Sequence, residues 1–590
     1  MKKGLKSVKS GASTFFKVLK YLKSYLPLFI ISIIFTIAVV ALTLYVPILI
    51  GQAIDLAIGV GAVDIKGITL ILVKISLCIA FTAVFQWIVN VINNRIVFGI
   101  VRNVRHEAFI KLQAFPVSFI DSHKSGDIVN RLIADSDQFS DGLLMGFSQF
   151  FNGIMTILGT IVFMFMINAP VTLIVIFITP LSLFVASFIA KRTFDLFKKQ
   201  SQIRSEQTAL IDEMIGEHKT VVAFGYEKKA EERFDEINER LEKTSLKAIF
   251  FSSLTNPSTR FVNSFVYALV AFAGAMICVH FGDEALKVGM LSSFLSYATQ
   301  YTKPFNEISG VVTELQNALA SAERVFELIE SPIEPDVIDD NEKINSSDIE
   351  FKNVSFSYSP DKPLIKDFSF KASSGTHVAI VGPTGCGKTT LINLLMRFYD
   401  VNGGEISLGG KNIQSIERGE LRRKYGMVLQ DTWLCNGSIR ENIAYGKPEA
   451  TNEEIVEAAR SAHAHSFIKR LPDGYDTVIG EGGATLSQGQ KQLLCIARIM
   501  LCDPEILILD EATSSIDTRT EIRIQKAFKK AMRGKTAFVV AHRLSTIKDS
   551  DVILVMNDGN IVEQGNHTEL LKKKGFYSTL YNSQFPKVDK

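Results

Sequence analysis

Long apolar runs alternate with charged, helix-forming stretches over the first half of the chain. Short β-branched runs separated by glycine turns fill the second half. The run from about Leu26 to Ile50 has no charge. At about 1.5 Å per residue it exceeds a hydrocarbon core of roughly 30 Å, so it predicts a transmembrane helix. It is too long for a signal-peptide core, and no small-residue cleavage site follows. Residues 2–23 before it carry seven lysines and no acid, which places the N-terminal segment, residues 1–25, on the cytoplasmic side.

Five more spans are predicted on the same grounds. A short loop with Asp55 and Asp64 leads to a span at about Leu70 to Ile92. The loop over 95–131 carries Arg95, Arg102, Arg105, Lys111, Lys124 and Arg131 and is expected to be cytoplasmic. Residues 142–190 are uncharged and broken by Asn168-Ala169-Pro170, which suits two spans, about 145–167 and 170–190, joined by a tight turn. Basic residues recur over 191–257, again cytoplasmic, and a fifth span covers about Phe261 to Phe281 before the acidic external loop Gly282-Asp283-Glu284. The sixth, about Gly289 to Phe305, contains Ser292, Ser293, Thr299, Gln300, Thr302 and Lys303, so one face should line a cavity or a partner helix. Interhelical hydrogen bonding explains the same residues equally well. The remaining spans have almost no ionisable group apart from Lys74 and His280, which argues against a proton relay or a voltage sensor.

Both basic loops are long and helix-forming, as over Glu227–Lys243, so the spans should continue as helices into the cytoplasm. Phe115-Pro116 and Gly216 interrupt them at points where a short crosswise helix fits. Residues 331–348 are polar and acidic with two prolines and predict a linker. The expected division is 1–25, a six-helix membrane domain over 26–330, the linker, and a soluble α/β domain over 349–590.

Composition agrees with this division. Of 590 residues, 47% are apolar and the mean hydropathy is positive, as a membrane-embedded half requires. A net charge of +3 gives no reason to expect a nucleic-acid partner. The six cysteines (Cys78, Cys278, Cys386, Cys435, Cys495, Cys502) lack a CxxC spacing and suit neither a disulfide framework nor a zinc site.

The chemistry lies in the soluble half. In VAIVGPTGCGKTT a β-branched run, Val378 to Val381, is followed by a glycine turn and a helix opening at Lys388. The spacing of Gly382, four residues, then Gly387-Lys388-Thr389 is that of a phosphate-binding P-loop. Glycines allow backbone N–H groups to close around an anion, and the helix N-terminus adds positive potential. Gly382, Pro383, Thr384, Gly385, Cys386, Gly387, Lys388, Thr389 and Thr390 are therefore candidate nucleotide-binding residues. Lys388 is placed for the β/γ-phosphates and Thr389 for Mg²⁺, while Cys386 acts as small filler with a thiol that could react. A second apolar strand, Ile506 to Leu509, ends in Asp510 and Glu511, placed respectively for Mg²⁺ and for polarising an attacking water.

With these motifs in hand, the whole chain resembles an ATP-binding cassette (ABC) exporter half-transporter, in particular a subunit of the heterodimeric bacterial multidrug exporters. The resemblance implies an all-α polytopic membrane domain followed by an α/β P-loop ATPase, with ATP and Mg²⁺ as cofactors. It assigns Tyr358 to the adenine, Gln430 to Mg²⁺ and the attacking water, and Asp510 to the metal. It further makes Glu511 the catalytic base, His542 the γ-phosphate switch, and Asp517 part of a loop that crosses the dimer interface. Ser487, Gly489 and Gln490 would belong to the signature that faces the partner's nucleotide.

Two stretches depart from the family pattern. The signature reads Leu486-Ser487-Gln488-Gly489-Gln490, with Gln488 where glycine is usual and Leu493 where an arginine is common. The preceding loop, Thr477 to Gly483, has Gly482 in place of a common arginine but keeps Glu481. A Cβ at 488 is expected to hinder close backbone approach. With an intact Walker half, that favours a heterodimer over a homodimer.

The implied function is ATP-driven export of hydrophobic or amphipathic small molecules across the plasma membrane, with lipid, the substrate and a second half-transporter as partners. A homodimeric lipid or peptide exporter is the alternative. An ATP-gated channel would need charged pore-lining residues, and a membrane-anchored regulatory ATPase would not need six spans.

Overall fold

Residues 13–58, 63–281, 287–333, 344, 346–429, 432–480, 486–510, 516–540 and 547–584 are described by a computed structural model of the chain. The expected external loop Gly282-Asp283-Glu284 and most of the linker lie outside the described residues.

The apolar runs form helices that extend far beyond a bilayer's thickness: α1 (Leu26–Ala57), α2 (Ile65–Gln113) and, after the short α3 (Val117–Ser122), a continuous α4 over Ser125–Ile167. They are followed by α5 (Ala169–Ile178), α6 (Pro180–Gly216), the short α7 (His218–Ala223), α8 (Glu227–Ser253), α9 (Thr255–Phe281) and α10 (Val288–Glu330). The break at Asn168 is a true cap: its side chain accepts from the Val171 N–H at 3.2 Å, and Pro170 occupies the first turn, where its missing N–H costs nothing. Two short helices form where the breakers stand, α3 after its N-cap Pro116 and α7 just beyond Gly216.

By length and apolarity four helical stretches qualify as spans among the described residues: Ser13–Ala57, Ile65–Gln113, Ser125–Ile167 and Glu227–His280. The fourth expected span is divided at Thr179-Pro180 into α5 and the start of α6, which shortens its apolar run. The sixth expected span, in α10, is diluted by its own hydroxyl and amide residues.

Small residues join α1 to α10. A Cβ on Gly289 would lie 2.0 Å from the Gly51 carbonyl oxygen, so the two backbones touch directly. The Gly289 N–H donates to Asp55 Oδ1 at 2.7 Å, Ser293 Oγ donates to the Pro47 carbonyl at 2.7 Å, and the Tyr297 hydroxyl donates to the Leu44 carbonyl. The four-residue spacing of Gly289, Ser293 and Tyr297 puts them on one helix face. Around this seam Val40, Leu44, Met164, Val175, Val270 and Phe294 form the membrane-half core. Further along, Arg324 donates through Nε and Nη2 to the two carboxylate oxygens of the buried Asp135, fixing α10 to α4.

The described residues cluster into two compact units, one within Met1–Gln113 and Lys124–Pro332, the other combining Ala114–His123 with Ile333–Lys590. The second unit contains β1 (Ile349–Phe356), β2 (Ile365–Ala372), β3 (His377–Val381), β4 (Gly403–Leu408), β5 (Lys411–Asn412) and β6 (Tyr425–Val428). Then come β7 (Gly437–Ser438), β8 (Val478–Ile479), β9 (Ile506–Asp510), β10 (Thr536–Val540), β11 (Val552–Asn557) and β12 (Asn560–Gly565). One sheet has the order β2-β1-β4-β5, and the larger has β12-β11-β3-β10-β9-β6 with β3, β10, β9 and β6 parallel. The central strands are apolar on both faces, as strands buried between layers must be; Val378, Ala379 and Ile380 of β3 are fully buried. The helix after β3, α11 (Lys388–Leu395), sinks Leu391, Ile392 and Leu395 into the core shared with Phe351, Phe368 and Ile508.

Candidate nucleotide site

The P-loop occupies the C-terminal end of β3, the usual location for ligands in open α/β sheets. Gly382 leaves the strand where a Cβ would lie 2.2 Å from the Met556 carbonyl oxygen of β11, so only glycine lets the chain turn there. Gly385 (φ +84°) and Gly387 (φ +100°) take left-handed conformations, and Gly387 caps α11 directly before Lys388. The Lys388 ammonium folds back to donate to the carbonyls of Gly382 and Pro383 at 2.9 Å each, with Cys386 Sγ 3.8 Å away. The lysine charge is thus held over the mouth of its own loop. Pro383, Thr384, Gly385 and Thr389 are exposed, whereas Cys386 and Thr390 are buried beneath them. Cys386 does serve as filler, its sulfur 2.7 Å from where a Gly382 Cβ would stand. A cationic tip, glycines in left-handed geometry and a helix N-terminus together fit a nucleotide's phosphates.

Tyr358 is fastened to this loop from the other sheet. Its hydroxyl donates to Thr390 Oγ1 at 3.3 Å and accepts from Asn393 Nδ2 at 3.2 Å. Its ring meets Phe356 and Tyr399 edge-on, with centroids 4.9 and 5.0 Å away, and remains 51% exposed. An aromatic face is therefore available beside the phosphate loop. Tyr399, which the sequence did not single out, also donates its hydroxyl to Asp121 Oδ2 of α3. Burial, reinforced by the Asp121 carboxylate, keeps this hydroxyl protonated well above the usual tyrosine range.

Asp510 ends β9, where Val540 of β10 stands in register with both Asp510 and Ile380. The carboxylate therefore sits two strands from the P-loop strand, on the same edge of the sheet, at a lateral separation of about 10 Å. Gln430, Glu511 and His542, together with Glu481, Gly482 and Gly483, lie outside the described residues.

The signature begins α12 (Gln488–Cys502). Ser487 caps it: its Oγ accepts from the Gln490 N–H at 3.3 Å, while its own N–H donates to Gln490 Oε1 at 2.9 Å. This is a capping box, so Gln490 is structurally engaged with Ser487. Gln488 is the first helical residue, exposed, with Nε2 donating to Thr432 Oγ1 at 3.4 Å. The next residue, Gly489, is crowded within the chain: its Cβ would lie 2.4 Å from Thr520 Cγ2 and 3.1 Å from Ile516 Cγ2. Thr520 belongs to α13 (Thr518–Met532), capped by Asp517, whose Oδ1 accepts from the N–H groups of Arg519 and Thr520 at 3.1 and 3.0 Å. Those bonds hold the Asp517 carboxyl below its ordinary range.

Known proteins match over the same two halves. Residues 29–305 match the ABC transporter transmembrane region, and residues 365–514 match the ABC transporter family. A Mycobacterium bovis protein named as a fatty acid ABC transporter ATP-binding/permease protein is 40% identical over 528 residues, covering 89% of this chain and 83% of the relative. An ATP-dependent lipid A-core flippase of Syntrophus aciditrophicus is 34% identical over 582 residues, 98% of this chain and 95% of the relative. Among solved structures, a bacterial Atm1-family ABC exporter with ATP bound matches with a TM-score of 0.78 at 28% identity, covering 96% of this chain and 99% of that one.

Proposed function

Since the chain belongs to the ABC exporter family, with a membrane half and an ABC transporter ATPase half fused in one polypeptide, we propose that it expels hydrophobic or amphipathic small molecules across the cell membrane. An exporter of this architecture works as two such halves. In this reading the N-terminal segment and the ATPase domain are cytoplasmic.

The observation that carries the proposal is the P-loop with Lys388 held at its mouth and Tyr358 bonded to Thr390 beside it. Lys388 and the loop's N–H groups would hold the β/γ-phosphates of ATP, and Tyr358 would stack on adenine. Thr389, Asp510 and Gln430 are assigned to Mg²⁺, which when bound offsets charge on the transferring phosphate. Glu511 would take the proton of the attacking water, and His542 would contact the γ-phosphate. The helix α3, tied to Tyr399, would carry the state of the base site toward the spans. Glu511→Gln in the purified protein should lower ATP turnover by on the order of 10²-fold or more with ATP binding retained. Near-normal turnover would remove Glu511 from the role of base.

The heterodimer reading rested on Gln488 hindering the signature. Gln488 at an exposed first helical position favours a second reading, in which two copies of this chain form both sites. ATP turnover by the chain purified alone decides between the two.

A further inference from the structure

The ATPase half holds a cleft of about 540 Å³ at the opposite end of its larger sheet from the P-loop. His377 lines it and opens β3; the P-loop leaves that strand at Gly382, roughly 15 Å further along. Two apolar cores part here: Val539 of β10 and Phe528 of α13 belong to one, Ile547 and Ile553 to the other. The volume falls within the range of small-molecule sites, about 300–1,000 Å³.

One wall is a flank of α13. Ile524, Ala527 and Ala531 of that helix are buried, whereas Ile522, Gln525, Lys526, Lys529 and Met532, three and four residues apart, line the cleft. Ile522 remains 49% exposed, an apolar surface left open. The acids nearby are already engaged. Lys529 pairs with Asp549 at 3.0 Å across the cleft, Asp551 accepts from the His377 N–H at 2.8 Å, and Glu521 accepts from Gln525 Nε2 at 3.3 Å. Lys526 is different: among the described residues its ammonium has neither an ion pair nor a hydrogen bond. The helix around it carries Arg519, Arg523, Lys529 and Lys530 against the single acid Glu521. That field reaches beyond the helix: burial first, then Lys526, Lys530 and Arg523, hold the His463 imidazole below its ordinary range.

An open ammonium beside an open apolar wall suits a molecule with one anionic group on an apolar body. We propose that this cleft binds small organic anions, sulfonates or carboxylates borne on an aromatic or aliphatic body, at a site separate from the nucleotide. Lys526 pairs with the anionic group, and Ile522 and Met532 take the apolar body. The site lies wholly within the ATPase half and does not depend on what the membrane half carries.

Two fluorescent probes of nearly the same shape separate charge recognition from lipophilicity: dansylate, a naphthalene sulfonate, and dansylamide, its uncharged sulfonamide. Binding of each to the full-length chain in lipid nanodiscs is measured by fluorescence anisotropy and corrected for protein-free nanodiscs. A saturating non-hydrolysable ATP analogue with Mg²⁺ is present throughout to keep the probes from the P-loop. The wild type should bind dansylate about tenfold more tightly than dansylamide. Lys526→Gln should weaken dansylate about tenfold and leave dansylamide unchanged, and Lys526→Arg should restore the preference. Ile522→Glu, which sets a carboxylate in the cleft, should also weaken dansylate. Arg533→Gln removes an exposed cation just past α13 that does not line the cleft, and should change neither probe. Equal affinity of the wild type for the two probes overturns the proposal. So does displacement of dansylate by the ATP analogue, a preference unchanged in Lys526→Gln, or a loss in Arg533→Gln as large as that in Lys526→Gln.

Discussion

Gly489 and Thr520 pack so closely that a single methyl group on the glycine would stand 2.4 Å from the threonine's Cγ2. The contact joins the start of the signature helix to the helix capped by Asp517, so the two helix starts are fixed to each other within one chain. Gly489→Ala should destabilise the ATPase half by about 1–3 kcal/mol through overpacking, lowering its Tm by several degrees. Gln488→Gly, one residue earlier, should change stability by no more than about 1 kcal/mol, since it gives up only an exposed contact. Thermal unfolding of both variants checks this, and equal shifts would show that the crowding at 489 relaxes freely.

Tyr358 presents its ring beside the P-loop while its hydroxyl is anchored to Thr390 and Asn393. Stacking of a base on an aromatic ring is worth about 1–3 kcal/mol, so Tyr358→Ala should weaken ATP binding roughly tenfold or more. Tyr358→Phe keeps the ring and should change affinity little. Titration with a fluorescent ATP analogue distinguishes them; equal affinity of wild type and the alanine variant would assign the base to another residue.

The hydroxyl of Tyr399 donates to Asp121 on the short helix α3. Its pKa is raised in the fold, by burial first and by Asp121 second, so the bond persists at neutral pH. The stabilisation is complete below the ordinary tyrosine pKa of about 10 and is lost as pH rises beyond it. Tyr399→Phe should therefore keep basal ATP turnover near that of the wild type while reducing its stimulation by a transported dye. The ratio of stimulated to basal turnover measures this, and an unchanged ratio would exclude the pair from coupling.

In the membrane half, Gly289→Leu should prevent α1 and α10 from meeting, because even its Cβ would overlap the Gly51 carbonyl. The expected result is loss of monodisperse protein on size-exclusion chromatography. Ser293→Ala, which gives up the bond to Pro47 but fits the space, should fold with a lower Tm. Normal folding of Gly289→Leu would contradict the close packing.

What the sequence made legible was local in the chain. The P-loop follows from glycine spacing within eight residues, and the breaks at Asn168, Pro116 and Gly216 follow from the fixed backbone of proline, the conformational freedom of glycine or capping chemistry. The seam of Gly51 and Gly289, the tie of Tyr399 to Asp121 and the crowding of Gly489 against Thr520 join residues far apart in the chain, where no periodicity reports them. The capping box at Ser487 and Gln490 is present in the sequence as a Ser-x-x-Gln pattern.

The central claim is that this chain converts ATP hydrolysis into outward movement of a small amphipathic molecule. It is tested most directly in proteoliposomes with the ATPase half facing outward, by following dye accumulation in the lumen after ATP and Mg²⁺ are added. The account predicts accumulation against a gradient that requires hydrolysable ATP and disappears in Lys388→Ala. Accumulation that proceeds without ATP, persists in Lys388→Ala, or runs only down the gradient would contradict it.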